Sequence, residues 1–170
     1  ELIKHFNAVL DAVDVNIVLY SYPDKDGVEL GWEVLDALAD HPRVIGIKES
    51  SGSLQRAIGI ATRYEGRIQL VSGSDDIALD FMFWGADSWI CGPANCMAKA
   101  CVDLDRTFRA GDLKKAKAQM ATLYTAMNIL ESGKFVQKLK YGCELQGTPV
   151  GECRMPLGPL TAEEKAAFAE

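Results

Sequence analysis

Apolar residues recur along the chain with two distinct periods. In residues 2–13 they fall at Leu2, Ile3, Phe6, Val9, Leu10 and Val13, offsets of three and four that make one helical face. Residues 16–20 (NIVLY) are a short apolar run that stops at a Ser-Tyr-Pro-Asp turn, which reads as a buried strand. Trp32, Leu35 and Leu38 restore helical spacing in residues 31–39. Residues 44–48 (VIGIK), 68–72 (IQLVS) and 88–92 (SWICG) read as three further strands, and 54–64, 77–83 and 97–110 as the helices between and after them. Continuous apolar runs are typical of strands covered on both faces, as in a parallel sheet. Their alternation with helices is the signature of repeated βα units.

After residue 110 the strand pattern stops. Gly111 is placed to end one helix and Asp112 to cap the next. Leu113, Ala116, Met120, Leu123, Met127 and Leu130 then form one stripe, read as core packing. Ser132-Gly133 breaks that helix, and Phe135, Leu139 and Cys143 share a face of another. Lys134, Lys138 and Lys140 point elsewhere and are expected to be solvated. Residues 148–159 form a Pro/Gly-rich loop, and Thr161 with Glu164 fits a capping box for a last short helix. The organisation expected is a βα part over 1–110 and a helical extension over 111–170.

Composition narrows the function classes. Of 170 residues, 48% are hydrophobic and 25% charged, ordinary for a globular fold. The net charge of −6 suits solubility and argues against a nucleic-acid partner. No apolar run approaches the ~20 residues of a membrane-spanning helix, and no signal-peptide pattern is read. The five cysteines, Cys91, Cys96, Cys101, Cys143 and Cys153, include no CxxC pair, and His5 and His41 lie away from them in sequence. A metal site is therefore not expected, and reduced thiols in the cytoplasm are. Two histidines also make a Ser-His-Asp or Cys-His hydrolase unpromising. No GxGxxG or GxxxxGK[ST] loop follows a strand, which removes the nucleotide fingerprints. The chain opens on Glu1 within a helical pattern, without an initiator Met, so a fragment is expected.

In parallel βα architectures the chemistry collects at the carboxyl ends of strands. Those ends hold Tyr20, Lys48, the run Ser72-Gly73-Ser74-Asp75-Asp76, and Ile90 before Gly92-Pro93. A lysine on a doubly buried strand is costly when charged and unpaired, so burial favours its free amine. A free amine is the nucleophile that forms a Schiff base with a ketone. The alternative is a lysine that reaches solvent or pairs with Glu49. Tyr20, one βα unit earlier, could relay protons or be a buried aromatic with one hydrogen bond. Gly73 could admit a substrate close to the backbone or be a turn glycine.

Gly46-Ile47-Lys48-Glu49-Ser50-Ser51-Gly52 resembles the Schiff-base segment of the dihydrodipicolinate synthase / N-acetylneuraminate lyase family. Leu19-Tyr20-Ser21-Tyr22-Pro23 is similar to that family's tyrosine motif, with Ser21 where the family usually has asparagine. Ser72-Gly73-Ser74-Asp75, Gly85-Ala86-Asp87, Ile90 and Ala94-Asn95 resemble its last two barrel strands and the segment after them. The resemblance covers essentially the whole chain. It implies an α/β fold, the C-terminal half of a TIM (β/α)8 barrel (strands five to eight) with a C-terminal helical extension. The activity implied is a class I aldolase-like lyase or hydro-lyase acting on pyruvate or a related 2-oxo acid.

By that resemblance Lys48 forms the Schiff base, Tyr20 shuttles protons and Ile90 lies beside the 2-oxo acid, with Ser72 and Gly73 also on the substrate side. No metal or organic cofactor is implied. The complete protein is implied to be a homo-oligomer, dimer or tetramer, in which a second tyrosine usually comes from a neighbouring subunit. Lys25 stands where true dihydrodipicolinate synthases usually carry an arginine for the second substrate's carboxylate; it keeps the charge and loses the bidentate fork. The stretch from Gly133 to Lys138, with Tyr141-Gly142, is closer to members acting on other substrates, such as pyrroline-hydroxycarboxylate deaminases. A closed barrel needs eight strands and typically ~250 residues, whereas four are read here. The alternative from another class is a non-catalytic half-barrel, a fragment or assembly module.

Overall fold

All four apolar runs become strands of one parallel sheet. A computed structural model describes residues 1–169. Strands β1 (Ile17–Ser21), β2 (Val44–Glu49), β3 (Gln69–Ser72) and β4 (Ser88–Trp89) lie side by side in chain order. Helix α1 (Leu2–Ala12) precedes β1. Helices α2 (Pro23–Asp26) and α3 (Trp32–Leu38) join β1 to β2, and α4 (Leu54–Arg63) joins β2 to β3. A 3-10 turn (Asp75–Ile77) and α5 (Ala78–Phe83) join β3 to β4. Then come α6 (Ala94–Arg109), α7 (Leu113–Glu131), α8 (Phe135–Leu145) and α9 (Ala162–Ala169). Among the described residues no helix is long and apolar enough to cross a membrane.

The chain divides into two compact units, Glu1–Ile90 and the residues from Cys91 onward. The division groups α6 with the helices that follow it, so the expected boundary at 110/111 falls inside the second unit.

In the first unit, register fixes which side chains share a face. Tyr20 pairs with Lys48, Lys48 with Val71, and Val71 with Ser88. Leu19 pairs with Ile47 and Ile47 with Leu70 on the opposite face, since strand side chains alternate. Leu19, Ile47 and Leu70 are buried in one core with Leu35 and Leu38 of α3, Ala57 and Ile60 of α4, and Phe81 of α5. The Tyr20–Lys48 face is exposed along β1, although Val71 of β3 on the same face is buried. Val18 is 40% exposed and Tyr20 44%, and Gln69 and Ser88 are also exposed. The expectation of strands buried on both faces is therefore corrected for β1, whereas β3 buries Leu70 on one face and Val71 on the other. The run NIVLY hides an alternation, Leu19 inward and Val18 and Tyr20 outward, because all three are large and apolar or aromatic.

The four-residue helix α2 replaces the expected turn at Ser-Tyr-Pro-Asp, with Pro23 at its first position, where a missing N–H costs nothing. Strand β4 is two residues long rather than five.

The second unit buries Cys101, Leu104, Ala116, Met120, Leu123, Met127, Leu130 and Cys143, so the stripe read in α7 is its packed face from Ala116 onward, while Leu113 in the first turn is exposed. Gly111 takes φ +81° between α6 and α7, and the Asp112 carboxylate accepts from the Lys115 amide at 3.0 Å. The expected capping box forms: the Thr161 amide donates to Glu164 Oε2 at 2.8 Å and the Glu164 amide to Thr161 Oγ1 at 3.2 Å. Helix α6 begins at Ala94, earlier than expected, and leaves helical geometry at Met97 (φ −130°, ψ 34°).

The expectation of solvated lysines holds for Lys134, which is exposed, and is corrected for Lys138 and Lys140, which are half-buried. Lys134 pairs with Glu164 at 2.6 Å. Lys138 Nζ donates to the Ile129 carbonyl at 2.6 Å and to Ser132 Oγ at 2.7 Å. Lys140 Nζ donates to the carbonyls of Val150, Gly151 and Glu152, at 2.8–3.3 Å. A four-carbon stem lets a lysine off the apolar face reach backbone acceptors that sequence spacing does not reveal. All five cysteines are free thiols, and burial first, then the neighbouring Cys143 and Cys101, pushes the Cys96 thiol up.

Candidate functional site at the strand ends

The site lies at the carboxyl ends of β1, β2 and β3. Lys48 is the fifth residue of β2 and Tyr20 the fourth of β1. Parallel pairing sets them opposite each other, so both side chains rise from the open face. Lys48 Nζ sits 4.0 Å from the centroid of the Tyr20 ring. Lys48 is partly exposed, not enclosed as a doubly covered strand would require.

The alternative that Lys48 pairs with Glu49 is not what the fold does. Glu49, one residue on, points to the helix-covered face and is fully buried. Its Oε1 accepts from the Ser51 amide at 2.7 Å and its Oε2 from Arg56 Nε at 2.7 Å. Arg56, on α4 and only 7% exposed, also reaches Glu29 at 2.9 Å and the Leu30 carbonyl at 2.5 Å. A buried charge needs a partner and filled hydrogen-bond positions, and this cluster supplies both. Among the described residues Lys48 makes no ion pair.

Gly73 lies directly against the lysine. A Cβ there would stand 3.0 Å from Lys48 Cε, 2.8 Å from the Glu49 carbonyl oxygen and 2.0 Å from Ser50 Oγ. The Gly73 amide donates to the Glu49 carbonyl at 3.0 Å, and Ser50 Oγ donates to the Gly73 carbonyl at 3.0 Å. Gly73 is thus the residue whose missing side chain leaves room for the Lys48 stem.

The other predicted residues separate. Ile90 follows β4, is 53% exposed, and donates its amide to the Ser72 carbonyl at 3.0 Å. Ser72 pairs with Glu49 in the register and is fully buried, so its side chain faces the helices rather than Lys48. Its hydroxyl bonds the Ser74 carbonyl at 3.5 Å. Lys25, on α2, is exposed and makes no side-chain hydrogen bond or ion pair among the described residues.

Sequence reasoning missed Arg56, Ser50 and the link from Trp89 Nε1 to Asp75 Oδ1 at 2.8 Å. One signal was present for Arg56: it stands three residues after Ser53, the helix cap whose Oγ accepts the Arg56 amide, just beyond a strand that closes on an acidic residue.

The assembled chemistry is an amine beside a phenol on an open sheet face, with a close-packed glycine leaving the amine's stem room. An amine so placed can attack a carbonyl carbon, and a phenol beside it can give and take protons.

The chain as a whole is similar to known proteins. The model of the dihydrodipicolinate synthetase family matches residues 1–170. The chain is 36% identical over 165 residues to the 4-hydroxy-tetrahydrodipicolinate synthase of Trichlorobacter lovleyi, covering 97% of this chain and 57% of that one. It is 36% identical over 167 residues to the enzyme of the same name from Geobacter sulfurreducens, with coverage of 97% and 57%. Among solved structures it superposes on dihydrodipicolinate synthase from Aquifex aeolicus with a TM-score of 0.91 at 26% identity, covering 98% of this chain and 57% of that one. It also superposes on the chloride-inhibited dihydrodipicolinate synthase from Acinetobacter baumannii complexed with pyruvate. There the TM-score is 0.92 at 28% identity, with coverage of 98% and 57%. The chain therefore spans about 57% of the length of these curated relatives.

Proposed function

The chain belongs to the dihydrodipicolinate synthetase family, and on that premise we propose that its residues form the Schiff-base half of a lyase acting on pyruvate or a related 2-oxo acid. Its relatives are lyases of that family, and its four parallel strands are part of a barrel of that type. In the proposed reading these are strands five to eight of a (β/α)8 barrel. Lys48 is the nucleophile and Tyr20 the proton relay.

The observation that carries the reading is the 4.0 Å approach of Lys48 Nζ to the Tyr20 ring at paired strand ends. The neutral amine attacks the 2-oxo carbon, and its nitrogen lone pair makes the new C–N bond while the carbonyl π pair moves to oxygen. Proton transfer from nitrogen to that oxygen gives a carbinolamine. Protonation of the hydroxyl by Tyr20 lets water leave, and the nitrogen lone pair closes the iminium. Iminium formation draws electrons from the adjacent carbon and makes its proton removable, which prepares carbon–carbon bond formation or cleavage. The pyruvate complex of the Acinetobacter baumannii relative supports a 2-oxo acid as first substrate. Lys25, exposed beyond β1, would offer a second substrate's carboxylate a single point charge rather than a fork.

The test is borohydride reduction of the full-length protein with pyruvate, followed by peptide mass spectrometry. A reduced adduct on Lys48 is expected, absent from Lys48→Arg. No adduct in the unsubstituted protein would overturn the reading.

A second reading, a non-catalytic assembly module, draws on the open face bearing Val18, Tyr20 and Ile90. Exposed apolar surface of this kind favours association. A chain that gives no pyruvate adduct yet sediments as a defined complex would support it.

A further inference from the structure

The buried carboxylate beside the nucleophile takes no part in the chemistry above, yet it is bonded on every side. Its partners form a closed ring. The Leu30 amide donates to Ser21 Oγ at 3.4 Å. The Leu30 carbonyl accepts from Arg56 at 2.5 Å, and Arg56 Nε donates to Glu49 at 2.7 Å. One residue further along the backbone, the Ser50 amide donates to the Ser21 carbonyl at 2.9 Å. Ser21 is the residue after Tyr20, and Glu49 the residue after Lys48. The ring therefore grips both strands one residue beyond the two reactive side chains. It lies on the opposite face of the sheet and touches neither of them.

We infer that Arg56, with Glu49, is a positioning residue that fixes the relative height and direction of Lys48 and Tyr20. The inference rests on the Schiff-base reading above. A buried ion pair is a poor source of net stability, since an apolar pair of similar volume often packs as well. An apolar pair would fill this space without specifying direction. Arg56 uses separate nitrogens for Glu49, Glu29 and Leu30, and the planar guanidinium holds those directions fixed relative to one another. Reaction between a bound carbonyl, an amine and a proton donor is steeply sensitive to their alignment. Arg63, on the same helix, pairs with Asp36 at an exposed position and has no link to either strand end.

The experiment uses the full-length protein, with pyruvate as the probe. Three variants, Arg56→Lys, Ser21→Ala and Arg63→Lys, are compared for thermal unfolding, pyruvate KM, and the rate at which borohydride-reducible adduct forms on Lys48. Arg56→Lys keeps the charge and loses the fork. It is expected to slow adduct formation about 10- to 100-fold, with pyruvate KM changed less than about threefold. Ser21→Ala opens the same ring at another bond and is expected to slow adduct formation less, in the same direction, and it serves if Arg56→Lys does not fold. Arg63→Lys is expected to leave the adduct rate unchanged. An adduct rate unaffected in folded Arg56→Lys or Ser21→Ala, even with a lowered unfolding temperature, would overturn the inference and leave the ring a stability element. An unsubstituted protein without adduct would instead remove the Schiff-base reading on which the inference stands.

Discussion

At the scale of single residues, the site is defined as much by a missing side chain as by the ones present. Gly73→Ala would press a methyl group against Ser50 Oγ and Lys48 Cε. Overpacking of this kind costs about 1–3 kcal/mol. The expected result is a lower denaturation midpoint together with a lower yield of reduced adduct on Lys48. Tyr64 illustrates a different residue-scale effect. Its hydroxyl donates to Asp36 at 2.8 Å; burial first, and then that bond, pushes the phenol up to about 12 from 10.0. A raised folded-state pKa means that the folded chain holds the proton longer. The contribution is therefore complete below pH 10.0 and is lost as pH rises toward about 12. Asp36 is held below its ordinary 3.8, first by the Tyr64 hydroxyl and then by the Arg63 guanidinium. Its contribution is present above pH 3.8 and lost as pH falls through the depressed value. Alkaline titration followed by phenolate absorbance is expected to include an ionisation near pH 12 that is missing from Tyr64→Phe. Lys48 and Tyr20 were legible in the sequence because each closes an apolar run at a strand end. Ser72 met the same criterion, yet its side chain faces the helices. The sequence places it near the strand end but does not fix its face, which depends on register.

Elements were more legible than contacts. The helical and strand periods placed α1, α3, α4, α5 and α7 and strands β1 to β3 within a few residues, because amphipathic faces are written directly into spacing. Caps were legible for the same local reason: Asp112 and the Thr161–Glu164 box act within four residues of themselves. Asp112→Ala is expected to destabilise α7 by about 1 kcal/mol, read as a lower unfolding temperature with unchanged secondary structure. What spacing did not show were partners far along the chain. Lys140 meets carbonyls ten to twelve residues away, and Lys134 meets Glu164. Such pairings depend on where a loop comes to rest. Strand β4 shortened to Ser88–Trp89 because pairing with β3, rather than apolar character, decides where a strand ends.

At the scale of the chain as a whole, the sheet has one face closed by α3, α4 and α5 and one face that is open along β1. Residues 1–170 expressed alone are expected to bind an apolar fluorescent dye through that face. Val18→Ser combined with Ile90→Ser is expected to lower the fluorescence while leaving far-UV dichroism unchanged; an unchanged signal would place the dye elsewhere. The open face is also where Lys48 and Tyr20 meet, so the surface that a covered sheet would hide is the one that carries the candidate chemistry. By itself the sequence determined the βα alternation, the limits of most helices to within a few residues, the strand-end positions of Lys48 and Tyr20, and the likeness to one enzyme family. All of these follow from local periodicity or from contiguous motifs. Only the tertiary structure decided that Tyr20 lies beside Lys48, that Glu49 turns away to Arg56, and that Gly73 makes room for the lysine. Each of those is set by strand register and by which face a helix covers, and both are fixed by contacts between residues far apart in the chain.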